Sequence, residues 1–223
     1  AASIGNGYEG STELVEAYQK ASTDFHQTVA DLVGIERVQA KTIGLGLMYG
    51  MGKNKLATSL GVSKEEATLL ISKYNRKVPF VKMLSDRCMQ TASDKGVIRT
   101  KKGRKCRFDM WEPKDFGLYT AETFDNAVAK YGRENIKRAY TYKALNRLIQ
   151  GSSADQTKQA MLSCYQAGYL PILQLHDELC FNINKSSKGD VRNIKKIMEN
   201  CIEFKLPFVV DVKTGGSWGT AHD

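Results

Sequence analysis

The sequence predicts an α+β protein, with a long helical region followed by a compact β-hairpin–α–β unit. Three observations carry this reading. Apolar residues recur at helical spacing, between capping signals, through most of residues 11–95. Two apolar, strand-like runs, Tyr169–Leu175 and Leu179–Asn184, then flank a polar tripeptide. A helical stretch at 188–202 and a strand-like run at Phe208–Lys213 close the order, and helices followed by strands indicate α+β.

The elements follow in order. Ser11 or Thr12 caps a helix over 11–33, in which Leu14, Ala17 and Tyr18 share a face, with a break near Ser22-Thr23-Asp24 and a stop at Gly34. A second helix covers 36–50 and ends at Gly50. Ser63-Lys-Glu-Glu66 is a capping box opening a helix to about Tyr74, and Pro79 opens the next, to about Lys95. Val97–Thr100 and Arg104–Phe108 flank Lys101-Lys102-Gly103 as a hairpin. Residues 109–121 read as loop, and 122–150 as mostly helical with a break at Tyr131-Gly132. Ser152 or Ser153 caps a further helix to Gln166, closed by Gly168.

The chain has 223 residues, with 33 Lys+Arg against 24 Asp+Glu and a net charge of +9. Hydrophobic residues at 42% and charged residues at 26% are a globular balance, which excludes a disordered or collagen-like chain. No apolar run reaches the roughly 20 residues that span a bilayer, so no membrane partner is expected. AASIGNGYEG has neither the basic nor the apolar part of a signal peptide, and it reads like a chain entered partway. The five cysteines (88, 106, 164, 180 and 201) include no CxxC, and no histidine accompanies a cysteine pair. Reduced thiols in a cytosol-like compartment follow, and a zinc site does not. The basic excess fits a polyanionic partner and equally fits plain solubility.

Four segments can carry chemistry. His176-Asp177-Glu178 sits between the two apolar runs, at a hairpin tip. Its paired carboxylates suit a hard cation such as Mg²⁺, and the same tripeptide suits an ordinary polar turn. Arg37, Lys41, Leu45 and Tyr49 recur every four residues on one helical face. Two cations, an apolar residue and an aromatic could hold phosphates at one end and stack a flat ring at the other. Gly44 and Gly46 interrupt that helix at about 1 kcal/mol each, as if another molecule came close there, or as glycines tolerated in an amphipathic helix. GLGLMYG lacks the spacing and the following Ser/Thr of a phosphate loop, so that reading fails. Lys95, Arg99, Lys101, Lys102, Arg104, Lys105 and Arg107 make a basic hairpin suited to a nucleic-acid backbone, or to a solvated face. Asn146 and Gln150, four apart, suit hydrogen bonds to minor-groove base edges, or simple exposure.

Together and in this order these segments resemble the family A DNA polymerases. RVQAKTIGLGLMYG looks like the family's motif B, R-x3-K-x3-aromatic-x3-YG, and LQLHDEL like motif C. ALNRLIQGSSAD is similar to the segment between them, and LPFVVDVKTGGSWGTAHD to the family's C-terminus. The likeness covers essentially the whole chain. WEP and GRENIKRAYTYKALNR look most like phage members.

The resemblance implies a helical fingers region followed by the C-terminal part of a palm. Residues 1–10 would be palm following motif A, 11–138 fingers, and 139–223 palm with motif C. It implies DNA-directed DNA synthesis on primer-template DNA with dNTPs and two Mg²⁺ ions, in a bacterial cytosol and encoded by a phage. Asp177 matches the motif C metal ligand and Glu178 its supporting carboxylate. His176 matches a residue near the primer terminus. Arg37 and Lys41 match the cations on the incoming triphosphate, Lys41 being the candidate general acid, and His26 a phosphate contact. Tyr49 matches the tyrosine beside the templating base. Asn146 and Gln150 match primer–template contacts.

Departures accompany the match. Leu45 stands where Phe or Tyr is usual against the deoxyribose, which implies altered dideoxynucleotide discrimination. Tyr142 stands where Arg is common. No DxSxxELR string of motif A occurs, so the second carboxylate ligand is expected upstream of residue 1. That leaves either a truncated chain or one half of a split enzyme, completed by a second polymerase chain with motif A, thumb and exonuclease. A non-catalytic DNA-binding remnant and a fragment of a single-subunit RNA polymerase stay open beside these.

Overall fold

Helical order is set by caps and glycine stops. In the computed structural model, which describes residues 15–16, 24–115, 117, 119–184 and 186–222, Asp24 caps helix α1 (Phe25–Val33). Its Oδ1 accepts from the backbone N–H of His26 at 2.9 Å and of Gln27 at 3.2 Å, satisfying two of the helix's orphan donors. Gly34 closes α1 as expected; residues 11–14 and 17–23, where the helix was read to begin and break, lie outside the described residues.

Helices α2 (Arg37–Met48), α3 (Lys53–Leu60), α4 (Lys64–Lys77) and α5 (Pro79–Lys95) follow. The capping box is present: Ser63 Oγ accepts from Glu66 N–H, and Glu66 Oε2 from Ser63 N–H. Helix α3 was not foreseen. Its eight residues bury only Leu56 and Ala57, too few to set a period. Its packing is visible only once α2 is in place.

The first core joins Val29 of α1, Ile43 of α2, Leu56 of α3, Tyr74 of α4 and Phe80 of α5. The helical glycines belong to it, which corrects their reading as a sign of an approaching ligand. Gly44 and Gly46 are buried. A Cβ on Gly44 would lie 3.0 Å from the Tyr74 hydroxyl oxygen, and one on Gly46 would lie 3.0 Å from Leu56 Cδ1. The close approach is by neighbouring helices of the same chain, and it presses one face of α2 into the core.

Strands β1 (Val97–Arg99) and β2 (Lys105–Arg107) form the expected antiparallel hairpin, pairing Ile98 with Cys106 and Arg99 with Lys105. Ile98 enters a second core with Leu84 and Cys88 of α5, Phe108 and Leu145. The stretch read as loop contains strand β3 (Trp111–Pro113), and the stretch read as helix contains only α6 (Phe124–Tyr131) before strand β4 (Ile136–Arg138). These strands pair antiparallel, Trp111 with Arg138 and Pro113 with Ile136. Three residues cannot display alternation, and the partner lies far along the chain, so the ladder left no local signal. The break after Tyr131 is present.

Helix α7 (Ala144–Gln166) runs straight through Ser152 and Ser153, so neither caps a helix. Ser152 is buried in mid-helix, where the backbone donors a cap would take are already used. Residues 1–149 and 150–223 form two compact units. In the second, β5 (Pro171–Leu175) and β6 (Glu178–Phe181) form a hairpin, followed by α8 (Lys188–Asn200) and the short α9 (Trp218–His222). Both strands are shorter than predicted, and Glu178 lies in β6 rather than at the tip. The Gln156 amide donates to the Met198 carbonyl, and Cys164 and Ile194 are buried between α7 and α8. Burial lifts the Cys164 thiol to about 11, which keeps it protonated. Phe208–Lys213 forms no ladder among the described residues. The Val210 N–H donates to Glu199 Oε1 at 3.0 Å instead, and Val209 and Val212 are exposed.

The α2–α4 contact predicts non-additive mutations. Gly44→Ala should destabilise the protein, because its Cβ crowds the buried Tyr74 hydroxyl. In a Tyr74→Phe background the same change should become stabilising, approaching the helix-propensity gain of about 1 kcal/mol. Urea unfolding of the four proteins of this cycle measures both signs.

Candidate functional site

Helix α2 has two faces because its back is pressed into the core. Ala40, Ile43, Gly44 and Gly46 are buried, while Arg37, Lys41 and Tyr49 are exposed and Leu45 is half-buried. The stripe read from spacing is therefore the accessible face, with Tyr49 as the C-cap residue just past the last turn.

The N-terminal end of that face is organised by Asp24, which sequence reasoning did not single out. One carboxylate oxygen caps α1; the other accepts from Arg37 Nε at 2.7 Å and pairs with Nη2 at 2.6 Å. The Arg37 guanidinium holds the Asp24 carboxyl below the usual carboxylate range. A guanidinium has five N–H donors, so this pairing aims Arg37 and still leaves donors for an anion. His26, in the first turn of α1, feels the same group of charges. Burial pushes its imidazole below the ordinary value; Asp24 opposes that, while Lys41 and Arg37 add to it. His26, Arg37 and Lys41 are thus one electrostatic cluster around a single carboxylate, with His26 neutral at pH 7.

The basic hairpin presents Arg99, Lys101, Lys102, Arg104, Lys105 and Arg107, all exposed. Arg99 and Lys105 are direct cross-strand partners, a like-charge pair that weakens the ladder unless an anion sits nearby. Two arginines outside the hairpin hold its end. Arg147 lies over the Phe108 ring at 4.6 Å and donates to the Arg107 carbonyl. Arg138 lies over Trp111 at 4.6 Å and donates to the carbonyls of Phe108 and Ser93. Asn146 follows in the first turn of α7, half-buried, and Gln150 one turn later is exposed.

In the second unit, His176 and Asp177 form the turn between β5 and β6. His176 adopts φ of 53°, uncommon for a side-chain-bearing residue. Asp177 is exposed. Glu178, the first residue of β6, accepts from the Trp218 indole at 3.1 Å and from the Cys180 thiol at 3.6 Å, both on Oε1. Trp218 is a second participant that sequence reasoning missed, since nothing local ties α9 to a glutamate 40 residues earlier. Two neighbouring carboxylates give the hard oxygen donors a divalent cation prefers. Among the described residues no group of three or more His, Cys, Asp or Glu side chains converges as a metal cluster, so this turn offers part of a coordination shell.

The Asp24 geometry makes a spectroscopic prediction. Because Asp24 raises the His26 value against the other influences, Asp24→Asn should move the His26 titration midpoint further down, as followed by imidazole NMR. A midpoint that rose or stayed put would contradict the assignment of charges.

The pattern described as DNA polymerase family A matches residues 7–220. A DNA-directed DNA polymerase of Pseudomonas phage M6 is 35% identical, aligned over 96% of this chain and 34% of that protein. DNA polymerase I of Caldicellulosiruptor bescii is 33% identical over 92% of this chain and 24% of its own length. The POL domain of Pol1 from M. smegmatis, in complex with DNA primer-template and dNTP, superposes with a TM-score of 0.76 at 27% identity, covering 95% of this chain and 37% of that one. The chain thus spans about a third or less of the curated relatives' length. With residues 7–220 matched and such identities at this coverage, it belongs to family A of the DNA polymerases.

Proposed function

We propose that this chain supplies the fingers and the C-terminal palm of a template-directed DNA polymerase, with residues 11–138 as fingers and 139–223 as palm. The observation that carries the reading is the face of α2 that exposes Arg37, Lys41 and Tyr49 around the half-buried Leu45, with His26 in the same group of charges, in a family A chain. The reaction is attack of a primer 3′-hydroxyl on the α-phosphorus of a dNTP, forming one P–O bond and breaking another as pyrophosphate leaves. Arg37, held by Asp24, and His26 bind the triphosphate. Lys41 neutralises charge developing on the leaving pyrophosphate and donates the proton it needs. Leu45 packs against the sugar and Tyr49 against the templating base pair. Asn146 and Gln150 read the minor groove, and His176 lies at the primer end. Arg99, Lys101, Lys102 and Arg104 hold the DNA backbone.

Asp177 and Glu178 fit Mg²⁺ by their oxygen donors. When bound, two such ions activate the hydroxyl and stabilise the charge on the transferring phosphate. Asp177 would hold the ions, and Glu178, oriented by Trp218, would support it. A second bridging carboxylate is needed, and the 223 residues contain no DxSxxELR string. We place it on another part of the polymerase, in the same chain or a second one carrying thumb and exonuclease. The apolar β5–β6 hairpin supports this: Ile172 is 56% exposed and Leu173 48% exposed, as surface awaiting a covering palm element. The phage relative supports a phage polymerase working in a bacterial cytosol; no described helix is long and apolar enough to cross a membrane.

Primer extension by this chain, alone and supplemented with a motif A-bearing partner, tests the reading. Extension only with the supplement is expected; robust extension by the chain alone would overturn the assignment of the missing carboxylate. In the active enzyme, Lys41→Ala should lower kcat about 10²- to 10⁴-fold with little change in DNA affinity, measured by single-turnover incorporation. Leu45→Tyr adds one hydrogen-bonding group worth about 0.5–1.5 kcal/mol, which should shift the dideoxy-to-deoxy incorporation ratio by about two- to tenfold. The same assay with dNTPs and NTPs settles sugar choice.

The depressed His26 predicts a pH dependence. As pH falls below about 6.5, the ordinary imidazole value, the unfolded chain takes up the proton first, so stability should drop towards the lower folded value. A bound triphosphate opposes that loss by favouring the charged imidazole. Affinity for dNTP should therefore rise as pH falls through this window, and His26→Gln should flatten the profile in equilibrium binding.

A further inference from the structure

Helix α7 starts against a local rule. Its first turn holds no acidic residue and carries Arg147 instead, where the positive end of the helix dipole disfavours a cation. A rule broken without local compensation points to a partner farther away. Arg147 is half-buried, and its partner lies 40 residues earlier. Its Nη1 donates to the Arg107 carbonyl at 2.8 Å, and its guanidinium carbon lies 4.6 Å from the Phe108 ring centroid. The Phe108 ring is buried in the second core, so the guanidinium rests on a fixed surface.

The base of the basic hairpin is closed separately. The Phe108 N–H donates to the Gly96 carbonyl at 2.8 Å, joining the residues that flank β1 and β2. Arg138 Nη1 donates to the Phe108 carbonyl at 2.9 Å, and its Nε to the Ser93 carbonyl at 3.2 Å. Arg138 lies so close over Gly96 that a Cβ there would be 2.6 Å from its Cζ. These contacts keep the two legs together. Arg147 does something else: it ties the last residue of β2 to α7, one residue after Asn146, the proposed minor-groove contact. The hairpin has three residue pairs, one of them the like-charge pair Arg99–Lys105, and so small a ladder does not fix its own aim.

We infer that Arg147 is a positioning residue, which sets the basic hairpin on α7 so that the hairpin cations meet phosphates while Asn146 meets the groove of the same duplex. The inference rests on the polymerase reading and gives Arg147 no contact with DNA. The role needs a planar group that covers a ring and aims an N–H at a carbonyl, which an ammonium of the same charge does not supply.

The test is equilibrium binding of primer-template by the active polymerase over a range of salt, where the slope of log affinity against log salt counts phosphate contacts. Replacing Lys101 and Lys102 together by Ala should flatten the wild-type slope by about 2. Arg147→Lys keeps the charge, yet should flatten the slope by about 1–2. Adding the two Lys→Ala changes to it should then cost less than about half of what they cost in wild type. Phe108→Leu keeps apolar bulk in the core but removes the ring, and should flatten the slope in the same way. Melting of the DNA-free proteins shows which variants are folded at the binding temperature; should Arg147→Lys be unfolded there, Phe108→Leu decides. A wild-type slope in the folded variant would overturn the role, and full additivity with the lysine pair would make Arg147 an independent DNA contact instead. Wild-type enzyme that neither binds nor extends primer-template would overturn the polymerase reading itself, and the role with it.

Discussion

The approach of Tyr74 and Leu56 to the glycines of α2 is the constraint from which the first unit's surface follows. With no side chain at Gly44 and Gly46, α3 and α4 close on the back of α2, and Ala40 and Ile43 complete the buried stripe. The opposite face then has no choice but solvent, which puts Arg37, Lys41 and Tyr49 on display in a fixed order. Two residues that lower intrinsic helix propensity are thus the condition for that exposed face, and packing offsets what propensity loses.

Crowding cations onto that face has its own cost, and Asp24 carries the compensation. It neutralises Arg37, caps α1 and opposes the depression of His26 with a single carboxylate. A triphosphate brings far more negative charge than Asp24 holds. The cluster is therefore underneutralised in the free protein and better matched when an anion is present. The hairpin repeats this on a larger scale: Arg99 stands opposite Lys105, a like-charge pair that a nearby anion would relieve. Arg138 and Arg147, stacked on rings and bonded to carbonyls, keep it from relaxing away.

Legibility from sequence followed the range of the interaction. The capping box at Ser63, the Pro79 start, the glycine stops and the α2 stripe are encoded within a few residues, and all stand in the structure. The β3–β4 ladder, the passage of α7 through Ser152 and the loss of a strand at Phe208–Lys213 depend on distant partners. The same division runs through the site. The exposure of the Arg37–Lys41 stripe followed from spacing, whereas Asp24 and Trp218 act through side chains 13 and 40 residues away. The glycines of α2 were locally conspicuous, yet their sequence could not say which group approaches; the neighbours are Tyr74 and Leu56 of the same chain.

The second unit is organised differently. Its strain and its chemistry meet in one turn: His176 is held at positive φ, Asp177 stands exposed, and Glu178 is tied down through Oε1 to Trp218 and Cys180. Fixing one carboxylate of an adjacent pair while leaving the other at the surface separates their roles before any ion arrives. A divalent cation bound there would meet a pair of which one member, Glu178, already has an orienting partner, so less side-chain freedom would be lost on binding. The β5–β6 strands that carry the pair expose Ile172, Leu173 and Leu175, and a two-stranded hairpin is marginally stable in water without further support. An element that covered them would brace the turn from behind, so burying this surface and fixing the Asp177–Glu178 pair would be one event.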